Sequence, residues 1–220
     1  MSDGKLYIGN RRYSSWSMRG WLAVKLAKLD VDVVLIPFVR PGPTPAIADH
    51  SPTGLVPFLE HNGAKIWESL AICDYCAEAE PSLWPGDRIA RAHARSISAE
   101  MHAGFRDLRM SMWMNLGRDF SPHGRTPGTL DNIARIEALW ADTRARFGAE
   151  GPYLFGAAFG AADAMFAPVV GRFLGWKPEL TAASHAYCDA VRAHPLVDEW
   201  YRAALAEPES MLVEDYETLK

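Results

Sequence analysis

The sequence predicts a mixed α/β domain at its N-terminal end followed by an all-α domain. Three observations carry the prediction. Short runs rich in β-branched residues alternate with helical patterns up to Ala79. The pair Asn62-Gly63 sits between two strand-like runs, and both residues accept the positive φ of a tight hairpin turn. Beyond "EPSLWPGD" (Glu80 to Asp87) only helical periodicity continues. The domains read from this are residues 1–82, a linker at 83–92, and a helical domain at 93–220.

In chain order, "KLYIGN" reads as a strand. From Ser14 a helix follows, with Met18, Leu22, Leu26 and Leu29 on one face and Lys25 and Lys28 near its negative end. "VDVVLIPF" (Val31 to Phe38) is a second strand. Pro41, Pro43, Pro45 and Pro52 then leave room for only one short helix, around Ala46 to His50. Val56 to His61 and Ala64 to Glu68 are the hairpin strands, with Pro57 confined to a strand start or edge because it has no N–H to donate. A helix runs from Ser69 to about Ala79, stopped by Pro81. Ile97, Met101, Phe105, Leu108 and Met112 predict one long helix, and Ile133, Ile136, Trp140 and Phe147 another. "AADAMFAPVVGRFL" is apolar nearly all round and should be central, bent by Pro168. Two more helices lie either side of Pro195.

Bulk composition removes several classes of function. With 220 residues, 49% of them hydrophobic, there is ample material for a core. A net charge of −4, with both signs scattered, gives no basic surface for nucleic acid. No apolar run approaches the length of a membrane span. The start "MSDGKLYIG" lacks the basic and apolar regions of a secretion signal. Three cysteines make no disulfide framework, so a reducing cytoplasm is the expected location. Cys73 and Cys76 spell C-x-x-C inside a helix, where burial is expected rather than redox chemistry, and His185 with Cys188 has no second ligand pair, so no metal is expected.

The segment "YSSWSMRGW" (Tyr13 to Trp21) raises the functional question. Ser14 and Ser15 fit a helix N-cap, whose side-chain oxygen accepts from free backbone N–H groups. The same turn also offers positive potential to an anion, and a serine hydroxyl donating to a sulfur favours its ionised form. No G-x-S-x-G surrounds these serines to mark either as a nucleophile.

The order and spacing of three motifs give the chain a family. "YSSWSMR" is similar to the serine motif of cytosolic glutathione transferases, nearest the zeta-class form. "GLVPFLEHNGAKIWESLAICDY" resembles their glutathione-binding core, and "LFGAAFGAADAMFAPVV" their buried central helix with Asp163 as internal cap. The resemblance implies a thioredoxin-like N-terminal domain plus an all-α C-terminal domain, the glutathione transferase fold. It implies glutathione as co-substrate, a small electrophilic second substrate, a homodimer and a part in detoxification. Residue by residue, it implies that Pro57 follows a cis peptide bond and that Val56 pairs its main chain with the cysteinyl unit. Glu68 and Ser69 would hold the γ-glutamyl end, with Trp16 also contacting glutathione. Ser14 or Ser15 would meet the sulfur: the spacing to Arg19 favours Ser15, and the zeta-like serine pair favours Ser14. Met101, His102, Phe105, Arg106 and Trp113 are the expected substrate-pocket wall, on a run that reads equally as helix core.

Two positions depart from the family pattern. Trp16 replaces a cysteine of the zeta-like motif, which weighs against maleylacetoacetate isomerase activity. Gly160 stands where Ser or Thr usually caps the central helix. No cysteine lies in the serine motif, which argues against glutaredoxin-like chemistry. The expected activity is delivery of a glutathione thiolate to an electrophilic carbon. A glutathione-dependent isomerase and a non-catalytic binding protein of the same fold are the alternatives.

Overall fold

The computed structural model describes residues 2–40, 42–149 and 151–219; Pro41, one of the prolines of the irregular segment, lies outside the described residues. Strand β1 (Gly4–Ile8) leads into helix α1 (Ser15–Leu26), then β2 (Asp32–Leu35) and a single turn of helix, α2 (Pro45–Ala48). The hairpin of β3 (Phe58–His61) and β4 (Ala64–Trp67) is followed by α3 (Ser69–Ala79). The sheet order is β2-β1-β3-β4, with β1 parallel to β2 and antiparallel to β3. This is the thioredoxin-like arrangement the sequence predicts. Asn62 (φ 49°) and Gly63 (φ 83°) both turn at positive φ, so the local chemistry sets the hairpin register Phe58 to Trp67. The Val56–Pro57 peptide bond is cis.

The helical part comprises α4 (Arg88–Ala103), α5 (Arg106–Ser111), α6 (Pro127–Phe147), α7 (Ala161–Trp176), α8 (Ala182–Ala193), α9 (Pro195–Leu205) and a last turn, α10 (Glu214–Glu217). Two sequence expectations are corrected. The helix predicted through Met112 breaks after Ala103: Gly104 closes α4, and Phe105 takes a left-handed conformation (φ 59°, ψ 43°) before α5 starts. Leu29 lies outside α1, because Lys28 turns to φ 54° after the helix ends.

Helix α7 is the centre of the molecule, with all but two of its residues buried. It packs against α1, α4 and α8. Its first turn is held by Asp163, whose carboxylate accepts from the Gly160 and Leu154 N–H groups and the Tyr187 hydroxyl, each at 3.0 Å. That reciprocal bond to Gly160 replaces the missing side-chain cap. Burial pushes the Asp163 carboxyl up to about 6 against the pull of these donors.

Helix α1 lies between the sheet layer and α7, so nearly every side is covered. A Cβ on Gly20 would stand 3.0 Å from the Pro57 ring, so glycine is what lets α1 rest directly on that proline. This packing puts the head of α1 beside Val56. No described helix is long and apolar enough to cross a membrane.

Candidate active site

Two hollows meet at the head of α1, sharing Trp16, Leu55 and Val56 in their walls. The smaller, about 380 Å³, is a cleft bounded by Pro57, Glu68 and His102. The larger, about 620 Å³, is a cavity between α1, the segment after β2, α5, α7 and α10.

The cleft is built by the end of the hairpin. Glu68 takes φ 67°, ψ 124°, an uncommon conformation for a residue with a side chain and one that clusters at functional sites. It caps α3 without a side-chain cap bond, and its carboxylate meets His102 Nε2 at 3.3 Å. Burial lowers the pKa of His102, and Arg19 and Arg109 add to this against the opposing pull of Glu68; the net shift favours the uncharged imidazole. Ser69 is fully buried, and its hydroxyl has no partner among the described residues. Neither does any described hydrogen bond occupy the Val56 main chain. A buried orphan hydroxyl at a helix start and a free main-chain edge fit a peptide with a carboxylate end.

The two serines are used differently. Ser14 is the N-cap of α1: its Oγ accepts from Ser17 N–H at 3.3 Å and donates to Ser17 Oγ at 2.7 Å. Ser17 Oγ in turn accepts from Gly9 N–H, tying α1 to β1. Ser15 opens the helix proper, and its Oγ accepts from Arg172 Nη2 at 3.1 Å. No described acceptor takes the Ser15 proton, and both serines line the cavity. Tyr13 and Tyr7 are closed off as thiol donors here. The Tyr13 hydroxyl donates to Glu217 at 2.5 Å and Tyr7 donates to Glu60.

The cavity is cationic. Arg40, Arg109 and Arg172 line it, and no Asp or Glu among the described residues does. Arg109 donates to the carbonyls of Met101 and His102, and Arg40 to the Tyr216 hydroxyl. Trp16 divides the two hollows: the Arg19 and Arg109 guanidiniums each lie 4.8 Å from its ring, and His102 meets it edge-on.

Of the wall residues read from the sequence, Trp113 lines the cavity and His102 lines the cleft. Met101 and Phe105 are core residues, and Arg106 is exposed on the surface; none of these three lines either hollow. Arg109, Met114, Arg172 and Tyr216 stand in the wall instead. Cys73 and Cys76 are free and buried, and burial pushes the Cys76 thiol up to about 12, away from redox use.

Known proteins agree with this architecture. The family model described as the glutathione S-transferase N-terminal domain matches residues 13–79, and that for the C-terminal domain matches residues 127–203. A probable maleylacetoacetate isomerase of Caenorhabditis elegans is 34% identical over 112 residues, 49% of this chain and 51% of that protein, so this match spans about half of each. The maleylacetoacetate isomerase of Rattus norvegicus is 28% identical over 82% of this chain and 84% of its own length. The theta class glutathione S-transferase of Xanthomonas axonopodis pv. citri, solved with glutathione bound, superposes with a TM-score of 0.64 at 22% identity, covering 94% of this chain and 99% of that one. The two family models together cover more than half of the chain, which belongs to the glutathione transferase superfamily, enzymes that use glutathione.

Proposed function

We propose that this protein binds glutathione along the Val56 edge, with the γ-glutamyl end at Glu68 and Ser69, and presents its sulfur to Ser15 for attack on an electrophile in the larger cavity. The observation that carries the reading is the Ser15 hydroxyl. It stands at the head of α1, in the wall of a 620 Å³ cavity and beside Val56, with its proton uncommitted. Ser14, the other serine of the motif, is already engaged in capping.

The chemistry follows from the placement. The thiol S–H bond breaks and its proton leaves to water, while Ser15 keeps its own proton and donates it to the resulting thiolate. The positive end of α1 and the cavity arginines favour that charge. The sulfur then bonds to the electrophilic carbon. Holding both reactants at one wall removes much of the entropic barrier. Titrating the thiolate's ultraviolet absorption in the binary complex tests this. The bound thiol is expected to ionise below its ordinary value of about 8.5. An unshifted thiol, or no glutathione binding by calorimetry, would overturn the reading.

A second reading is a glutathione-dependent isomerase, favoured by the relatives named maleylacetoacetate isomerase and by the Ser14-Ser15 pair. In that case the sulfur adds to a double bond, the adduct rotates, and the sulfur is expelled. Glutathione recovered unchanged after turnover separates isomerisation from conjugation. We further propose a homodimer, to which exposed Trp67 and Ile89 offer apolar area, together with cytoplasmic residence and a role in detoxification.

A further inference from the structure

Arg172 is the one basic residue in α7, and it is 4% exposed. Its Nη1 donates to the Pro168 carbonyl at 3.1 Å and its Nη2 to Ser15 Oγ at 3.1 Å, while Nε has no partner among the described residues. The neighbouring charge acting on it is that of Arg109, not of a carboxylate. Burial and that charge push its pKa down to about 9, so it stays protonated at neutral pH. Burying a cation without a counter-ion is costly, and an apolar residue would pack inside α7 at less cost. Such a charge at a cavity wall marks a place where negative charge develops.

We propose that Arg172 is a positioning residue for thiol activation: its bond to Ser15 Oγ turns the Ser15 proton into the cavity, and its charge favours the thiolate that this proton meets. The proposal rests on the Ser15 reading above. A hydroxyl has one proton and two lone pairs, and a guanidinium only donates. With Arg172 on a lone pair, the Ser15 proton points elsewhere, and the open direction is the cavity. A cationic donor also polarises the hydroxyl, which strengthens its own donation.

The groups facing this point are mostly positive. Arg19 comes from α1, Arg109 from α5 and Arg40 from the segment after β2. Tyr13 and Tyr216 are the other titratable groups in the wall. The Glu217 carboxylate behind Tyr13 is engaged by Tyr13, Asn115 and Arg118.

The test uses the full chain with the variants R172M, R172K, S15A and the double variant S15A/R172M. The thiol pKa of bound glutathione is read from thiolate absorption, and S-methylglutathione, which has no thiol to ionise, reports on binding alone. R172M should raise the thiol pKa by about one unit, a tenfold fall in the ionisation constant, with S-methylglutathione affinity within about twofold of the parent. R172K should recover at least half of that shift, and the double variant should shift by less than the sum of the singles. An unchanged thiol pKa in R172M would overturn the proposal, as would a double variant whose shift is the sum of the singles. A shift in R172M with none in S15A would overturn both this proposal and the Ser15 reading. Failure of the parent to bind S-methylglutathione would sink the glutathione reading itself, and the proposal with it. If R172M does not fold by circular dichroism, R172L makes the same comparison.

Discussion

The cleft and the cavity share a wall yet are built from opposite materials. The cleft has one carboxylate, an imidazole and a free main-chain edge, with the buried orphan hydroxyl of Ser69 next in sequence to its Glu68. The cavity has three arginines and, among the described residues, no carboxylate. A surface of the first kind recognises a peptide by its main chain and its termini. One of the second kind stabilises charge that appears during a reaction. The difference teaches that holding the tripeptide and ionising its sulfur are separable tasks here, with Trp16 as the partition between them.

The largest expected effect comes from removing the donor on the cavity side. Ser15→Ala should lower kcat/KM by about a hundredfold, the loss typical of one preorganised donor. Steady-state rates at saturating and limiting glutathione measure it. A change in KM alone would erase the distinction between the two hollows.

Next comes the helix that carries Arg172. Asp163→Ala should destabilise the fold by about 2 kcal/mol, because it leaves three buried donors unpaired. The pH dependence has a definite sign. The Asp163 pKa is raised from 3.8 to about 6, so its contribution is greatest below the lower value and declines as pH rises through the upper one. Thermal melts should therefore show the gap between parent and variant narrowing from pH 4 to pH 7. A gap that widens with pH would contradict this assignment.

On the cleft side, Ser69→Ala should raise the glutathione KM by about tenfold and leave kcat alone, since the hydroxyl contributes equally to ground and transition states. The smallest effect belongs to Ser14→Ala. It should cost about 1 kcal/mol of stability as a lost cap, with activity per folded molecule within about threefold of the parent. A loss in Ser14→Ala as deep as in Ser15→Ala would move the sulfur contact to Ser14 and break the comparison at its centre.

The two hollows also differ in how far the sequence reveals them. Most of the cleft comes from one stretch, Thr53 to Glu68, to which α1 adds Trp16 and α4 adds His102. Its turn chemistry at Asn62-Gly63, its proline and its helix start at Ser69 are local signals, so the cleft's framework is readable in order. The cavity is assembled from α1, α5, α7 and α10, and its wall depends on helix phase. The break at Gly104 and Phe105 resets that phase, so a wall read from one unbroken helix selects Arg106 where the structure selects Arg109. The left-handed Phe105 is a tertiary outcome, and Gly104 was its only local hint. Arg172 did leave a signal: a single charge in the apolar run "AADAMFAPVVGRFL" after its capping Asp163. The four-residue α10 has no periodicity to read, yet it brings Tyr216 to the cavity.

The division of labour between the hollows is tested most directly by titrating the thiol of bound glutathione in Ser15→Ala and Ser69→Ala side by side, each at saturating ligand, with the dissociation constant measured in the same samples. The account predicts a raised thiol pKa with affinity retained in the first, and weakened affinity with the thiol pKa retained in the second. Both quantities moving together in either variant, or a thiol that ionises normally in Ser15→Ala, would contradict it.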